Sequence, residues 1–268
     1  QCMQDQVLED GTNFENSIPY HRLILELFAI PLIINVNDFS SFYKARLYKM
    51  FEFVSAYIDQ NGNAPQIGDN DSGFFLKLSN SEEQNHSYLL SLGNAIFRND
   101  FGFSADTGYY PIFKTTNLYS NYNDICNCRK TIAFEKSGYY FLKNENMFVC
   151  IFCPTTSKGH RHFDTGSFTL TYKGKQIIVD PGTGNYTSDL KIRQTLRDYP
   201  SHNLYYINKV NNLNTKYFGV KVSTTAEVKE FSKDTLSYCV VLENGTKVNR
   251  NFKLLSDTLK INDTIEGE

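Results

Sequence analysis

The sequence predicts an α+β, multidomain chain, a helical unit followed by an antiparallel β-sandwich. Two observations carry that prediction. The apolar spacing changes from helical to alternating near residue 105, and the alternating part is cut into short segments by turn residues. The units are accordingly drawn as residues 1–105 and 106–268. With 268 residues, 41% of them hydrophobic and 15% aromatic, the chain carries enough apolar material for a sizeable core.

In the first unit, Tyr20, Ile24, Leu27 and Phe28 fall on one helical stripe. The run LILELFAIPLII is too short to span a bilayer and carries Glu26 and Pro31, so it reads as a buried helix, and no other segment reads as transmembrane. A second helix is predicted over SFYKARLYKMFEFVSAYI, with Leu47, Met50, Val54 and Tyr57 on its apolar side. Asp38 or Ser40 would cap it, and NGNAP lies past its end. QNHSYLLSLGNAIF reads as a third helix.

In the second unit, KTIAFEKSGYYFLKN, MFVCIFC, GSFTLTYKGKQIIVD, NLYYINKV, LSYCVVLENGTKVNRNFKLL and TLKIND supply β-branched and aromatic residues between turn signals. Lys173-Gly174-Lys175 and Asn244-Gly245 read as hairpin turns, the second with a pair favoured in type I′ geometry. Strands this short and numerous imply a sandwich.

Composition narrows the function. A formal net charge of −2 gives no general attraction to nucleic acid, so an anionic ligand would need a local site. The chain begins at Gln1 and ends within a strand pattern, and it reads as an excised piece of a longer protein. Cys126, Cys128, Cys150 and Cys153 have spacings that suit zinc, although MFVCIFCP is an apolar run in which buried free thiols are commonplace.

The stretch GHRHFDTGSF is the most informative. Two of the five histidines, His160 and His162, alternate with Asp164 two positions on, and in an extended strand all three would project from one face. Asp180, ahead of Pro181-Gly182, and His202 follow downstream. Imidazole nitrogens and a carboxylate oxygen are ordinary zinc ligands, so one metal could gather His162, Asp180 and His202. Each also has a plainer reading, since an Asp before Pro-Gly most often forms a turn and a lone Ser-His-Asn a loop. An open metal site would point to a hydrolase, whereas a closed one would fix strands.

The run GHRHFDTGSFTLTYKGKQIIVDPGTGNY…RQTLRDYPSHN resembles the C-terminal signature of the heparinase II/III-like polysaccharide lyases. DGTNFENSIPYHRLILELF resembles a helix of the same family, and NAPQIGDNDSG fits the pattern of its helical half. The resemblance implies that residues 1–105 are the end of an incomplete α/α toroid packed on the sandwich, and that an acidic polysaccharide is cleaved by β-elimination. It further implies that Tyr20 and His160 are catalytic, and that His162, Asp180 and His202 hold a structural zinc. Asp164 would support its own segment, and His21, Arg193 and Arg197 would meet the acidic sugar. A carboxylate-neutralising Asn or His is expected upstream of the tyrosine, and QCMQDQVLED offers none. A periplasmic or extracellular location is implied in the same way. A lyase-like carbohydrate-binding protein without turnover, or a metal-dependent hydrolase, are the alternatives.

Elimination removes a proton α to a uronate carboxylate and expels the glycosidic oxygen at C4, so it needs a base, an acid and stabilisation of the enolate-like state. Tyrosine could act as the base if cations lowered its pKa, and its hydroxyl could then donate to the leaving oxygen.

Overall fold

The computed structural model describes residues 1–75, 82–102, 130–156, 159–205, 224–242 and 244–267. The expected boundary at residue 105, together with Cys126 and Cys128, lies outside them. Among the described residues, four helices precede the first strand: α1 (Cys2–Gln6), α2 (Ile18–Ile34), α3 (Ser41–Tyr57) and α4 (Ser87–Phe97). Ser17 caps α2 and Ser40 caps α3, each accepting a hydrogen bond from the N–H three residues on, which satisfies a donor the helix leaves open.

Among the described residues, nine strands form two antiparallel sheets. The first is β1 (Ile132–Phe134), β2 (Tyr139–Lys143), β3 (Met147–Phe152), β4 (Ser167–Tyr172) and β5 (Lys175–Ile178), paired in that order. The second is β6 (Ala226–Phe231), β7 (Thr235–Val241), β8 (Lys247–Leu254) and β9 (Leu259–Glu266). Between β5 and β6 lies α5 (Leu190–Arg197), followed by a 3-10 turn over Tyr199–Ser201.

Alternation along β2 and β3 explains the layering. Tyr139, Phe141, Cys150 and Phe152 pack into the helical core, where Phe53 of α3 lies 4.8 Å from the Phe134 ring and 5.1 Å from that of Tyr139. Tyr140, Leu142, Val149 and Ile151 point the other way, into a second core with Leu236, Tyr238, Val240, Val248 and Phe252. The first sheet is therefore the middle of three layers, which is why MFVCIFC is apolar without interruption. Cys150 and Cys153 fall in separate cores as buried free thiols, and burial pushes both up.

Four expectations need correction. The buried face of α2 is Ile18, His21, Arg22, Leu25, Glu26, Ala29 and Leu32, while Leu27 is exposed and Tyr20 only partly covered. The helix can turn this way because its buried charged side chains find partners: Arg22 donates through its two terminal nitrogens to the carbonyls of Glu83 and Gly73, and Glu26 accepts from Phe75 N–H and the Tyr88 hydroxyl. The His-x-His-x-Asp segment is irregular backbone, with β4 starting only at Ser167. NLYYINKV opens on bends, with residues 206–210 outside the described set. Lys173 (φ 47) and Gly174 (φ 76) make a two-residue turn of type I′ character, but Asn244-Gly245 sits in a longer loop closed by Leu242 N–H to Thr246 O, with Gly245 at φ 84.

Candidate active site and metal centre

Ser17 organises the site. Its hydroxyl caps the Tyr20 N–H and donates to the carbonyl of Asp69 at 2.6 Å. Asp69 N–H in turn donates to His160 O, and His160 N–H to Glu15 O. Gly159, at φ +97, lets the histidine loop approach this closely, since a Cβ there would lie 2.2 Å from Glu15 O. The result sets His160 flat against the Tyr20 ring, centroids 4.0 Å apart and 10° from parallel.

The Asp69 carboxylate is fully buried and serves four side chains. Oδ2 meets His160 Nδ1 at 3.2 Å and Arg193 Nη2 at 2.8 Å; Oδ1 meets His162 Nε2 at 3.1 Å and Arg197 Nε at 3.6 Å. Burial alone would push this carboxyl up, but hydrogen bonds from His160 and His162, with the charges of His162 and Arg197, hold it well below the usual carboxylate range. An ionised carboxylate only accepts, so His160 carries its proton on Nδ1 and His162 carries one on Nε2. One anion thereby sets both tautomers.

The Tyr20 hydroxyl lies 2.7 Å from the Tyr186 hydroxyl and donates to Asp71 Oδ2 at 3.3 Å. Burial, the Tyr186 hydrogen bond and the carboxylates of Asp71 and Asp69 push the phenol well above its ordinary value. This is opposite to the cation-lowered phenol anticipated from chemistry alone.

Next to His162 lies a second cluster. Asp180 ends the strand region after β5, accepting from Gly182 N–H through Oδ1 and from His202 Nδ1 at 2.8 Å through Oδ2. The side chain thus makes the expected turn contact with one oxygen and faces His202 with the other. His162, Asp180 and His202 are all buried and offer ligand atoms within 4.8 Å of one another. His162 Nδ1 and His202 Nε2 are buried with no hydrogen-bond partner. Two orphaned imidazole nitrogens beside a carboxylate fit a metal such as zinc. Asp164 is also buried here, 3.9 Å from Arg161 Nε, and burial pushes its carboxyl up.

The three residues expected to face substrate are elsewhere. His21 is buried in the helical core; its Nδ1 accepts from Asn13 N–H and its Nε2 faces Met50 O, so it has no surface to offer a sugar. Arg193 and Arg197 are buried on Asp69, and Arg193 also stacks 4.0 Å over the Tyr186 ring and donates to its carbonyl. Their positions support the Asp69 and Tyr186 framework.

Residues 128–268 match the family described as Heparinase II/III-like, C-terminal. The chain belongs to this family. Comparison with curated protein sequences gives no match. Among solved structures, a heparinase III gene product is similar with a TM-score of 0.73 at 18% identity, over 99% of this chain and 39% of that one. A heparan sulfate lyase from Pedobacter heparinus gives 0.66 at 16% identity, covering 100% of this chain and 40% of its own. A further heparinase III gives 0.59 at 18%, over 93% and 39%. At such identities the likeness is one of fold, and this heparinase-like chain spans 39–40% of the length of these structures. The two antiparallel sheets match their C-terminal sandwich.

Asp69, Tyr186, Asp71 and Glu15 were not singled out by sequence. Asp69 and Asp71 stand in a polar turn, where aspartate ordinarily bonds to its own backbone, and Asp71 does so toward Gly73 N–H. No local signal marks Asp69 as the partner of residues at least 91 positions away.

Proposed function

We propose that this chain is part of a polysaccharide lyase that cleaves a uronate-containing acidic polysaccharide by β-elimination, with Tyr20 and His160 as the acid and base. The stacked Tyr20–His160 pair, drawn from the helical layer and from the loop before β4, carries the reading. Residues 1–105 would then be the end of an α/α toroid.

The surroundings favour one division of labour. With its proton fixed on Nδ1 by Asp69, His160 offers the Nε2 lone pair to the proton α to the uronate carboxylate. As that proton leaves, a C4–C5 double bond forms and the C4–O bond breaks. Tyr20 retains its proton at neutral pH, and a neutral phenol is the form that can donate to the departing oxygen. Zinc at His162, Asp180 and His202 would supply structural cross-linking between β5, the turn after α5 and the histidine loop.

Incubating the full-length protein with uronate polymers of heparan, alginate and capsular type tests the proposal. Elimination yields an unsaturated uronate that absorbs in the ultraviolet. New reducing ends without that absorbance would mean hydrolysis, and an intact polymer would mean a binding module; either result refutes the lyase reading.

A further inference from the structure

Helix α2 carries Tyr20 on its partly covered side and Arg22 and Glu26 on its buried side, and all three side chains meet one segment of chain, residues 69–75. The Tyr20 hydroxyl donates to Asp71 Oδ2 near the start of that segment. Two residues further on, Arg22 Nη2 donates to Gly73 O at 2.8 Å, with its guanidinium 4.1 Å from the centre of the Phe74 ring. Glu26 Oε2 then accepts from Phe75 N–H at 2.7 Å. The other terminal nitrogen of Arg22 donates to Glu83 O at 2.9 Å, which braces the grip against the turn before α4.

The turn between the phenol contact and this grip is strained. Ser72 stands at φ 61, a left-handed conformation that a side chain other than glycine adopts at a cost. It is held there because Asn70 Oδ1 accepts from Ser72 N–H, Asp71 Oδ1 accepts from Gly73 N–H, and Arg22 fixes Gly73 O. Freed of one restraint such a turn relaxes, and the exposed Asp71 side chain moves with it. Asp69 does not follow, since Ser17 holds its carbonyl and Arg193 its carboxylate. A carboxylate beside the phenol favours the proton-bearing form and fixes where the hydroxyl points. We propose that Arg22 is a positioning residue for the reaction: by gripping Gly73 O it holds the Asp71 carboxylate against the Tyr20 hydroxyl. Arg22 acts only through Asp71, and the inference rests on the lyase reading for the acid role of Tyr20.

The test is a double-mutant cycle in the full-length protein, with turnover read as ultraviolet-absorbing unsaturated uronate. Arg22→Lys keeps the charge but loses the two-pronged grip, and it and Asp71→Asn should each lower kcat about tenfold at a nearly unchanged KM. Together they should lower kcat no further than Asp71→Asn alone, because the grip then has nothing left to position. A merely structural contribution of Arg22 would multiply instead, to about a hundredfold. Phe74→Leu loosens the guanidinium without removing a buried charge, so it decides the matter if Arg22→Lys folds poorly. It should lower kcat several-fold in the native background and not at all in Asp71→Asn. Multiplicative losses, a kcat within about twofold of native in Arg22→Lys, or a rise in KM alone would each overturn the inference. A native protein that makes no unsaturated product refutes the lyase reading, and the inference falls with it.

Discussion

His160 rests face to face on Tyr20, one ring carried by helix α2 and the other by the loop before β4. Because stacking and the hydroxyl are separable, Tyr20→Phe isolates the chemistry. It should keep the stack and polymer binding while elimination falls by at least about a hundredfold. The lost hydroxyl is only partly buried, so the melting temperature should move little, by less than about 1 kcal/mol of stability. A Tyr20→Phe protein with near-normal turnover would remove the phenol from the mechanism.

Asp69→Asn should be far more damaging to the fold. The amide keeps the shape but not the charge, leaving Arg193, Arg197 and two histidines around a neutral group in a buried pocket. Breaking a buried ion pair costs about 3 to 5 kcal/mol, which urea denaturation would resolve directly. A loss below about 1 kcal/mol would mean that solvent, not Asp69, balances those cations.

How much of this was legible in sequence follows from the range of the interactions. The strands of the sandwich could be read because alternation and turn residues are local, and MFVCIFC only hid its two-sided burial. Tyr20, His160 and the His162, Asp180, His202 trio could be singled out as candidates because they match the family signature, and the structure stacks the first two and gathers the other three. The strand predicted for His160 to Asp164 failed because those residues are held by Glu15 and Asp69 across the layers instead of by a sheet neighbour. The stripe through Tyr20 and Leu27 failed because helix α2 buries Arg22 and Glu26 against hydrogen-bond partners from distant loops and from α4, which hydropathy cannot foresee. Gly166 has the same character: at φ +87, its Cβ would sit 2.2 Å from the Tyr238 hydroxyl, a contact between two sheets far apart in the chain.

Removal of metal should loosen the β5 end before it touches the helical layer. Zinc at a hundredfold excess over its dissociation constant should stabilise the chain by about 2.7 kcal/mol, read as a rise in melting temperature that a chelator reverses. Elemental analysis of the native chain should find stoichiometric zinc, and His202→Ala should abolish both that metal and the rise. An undiminished zinc response in His202→Ala would place the ion elsewhere.

His21 gives a pH signature in the opposite layer. Burial lowers its pKa from 6.5 to about 4, overcoming the hydrogen bond to Met50. Between those values the unfolded chain takes up a proton that the folded chain refuses, so stability falls as pH drops from 6.5 towards 4, by about 1.4 kcal/mol per pH unit for this group. His86, also buried and lowered by burial, adds a loss of the same sign. The depressed carboxyl of Asp69 acts in a separate window, losing its contribution as pH falls below its ordinary value of 3.8. Comparing the urea-derived stability of the native chain and of His21→Asn across pH 6.5 to 4 isolates the first effect, because every other titrating group is common to both. The variant should be less stable at neutral pH but shallower in slope by about one proton. Parallel slopes would show that His21 is already protonated in the folded chain, and that the hydrogen bond it accepts from Asn13 does not hold its neutral form.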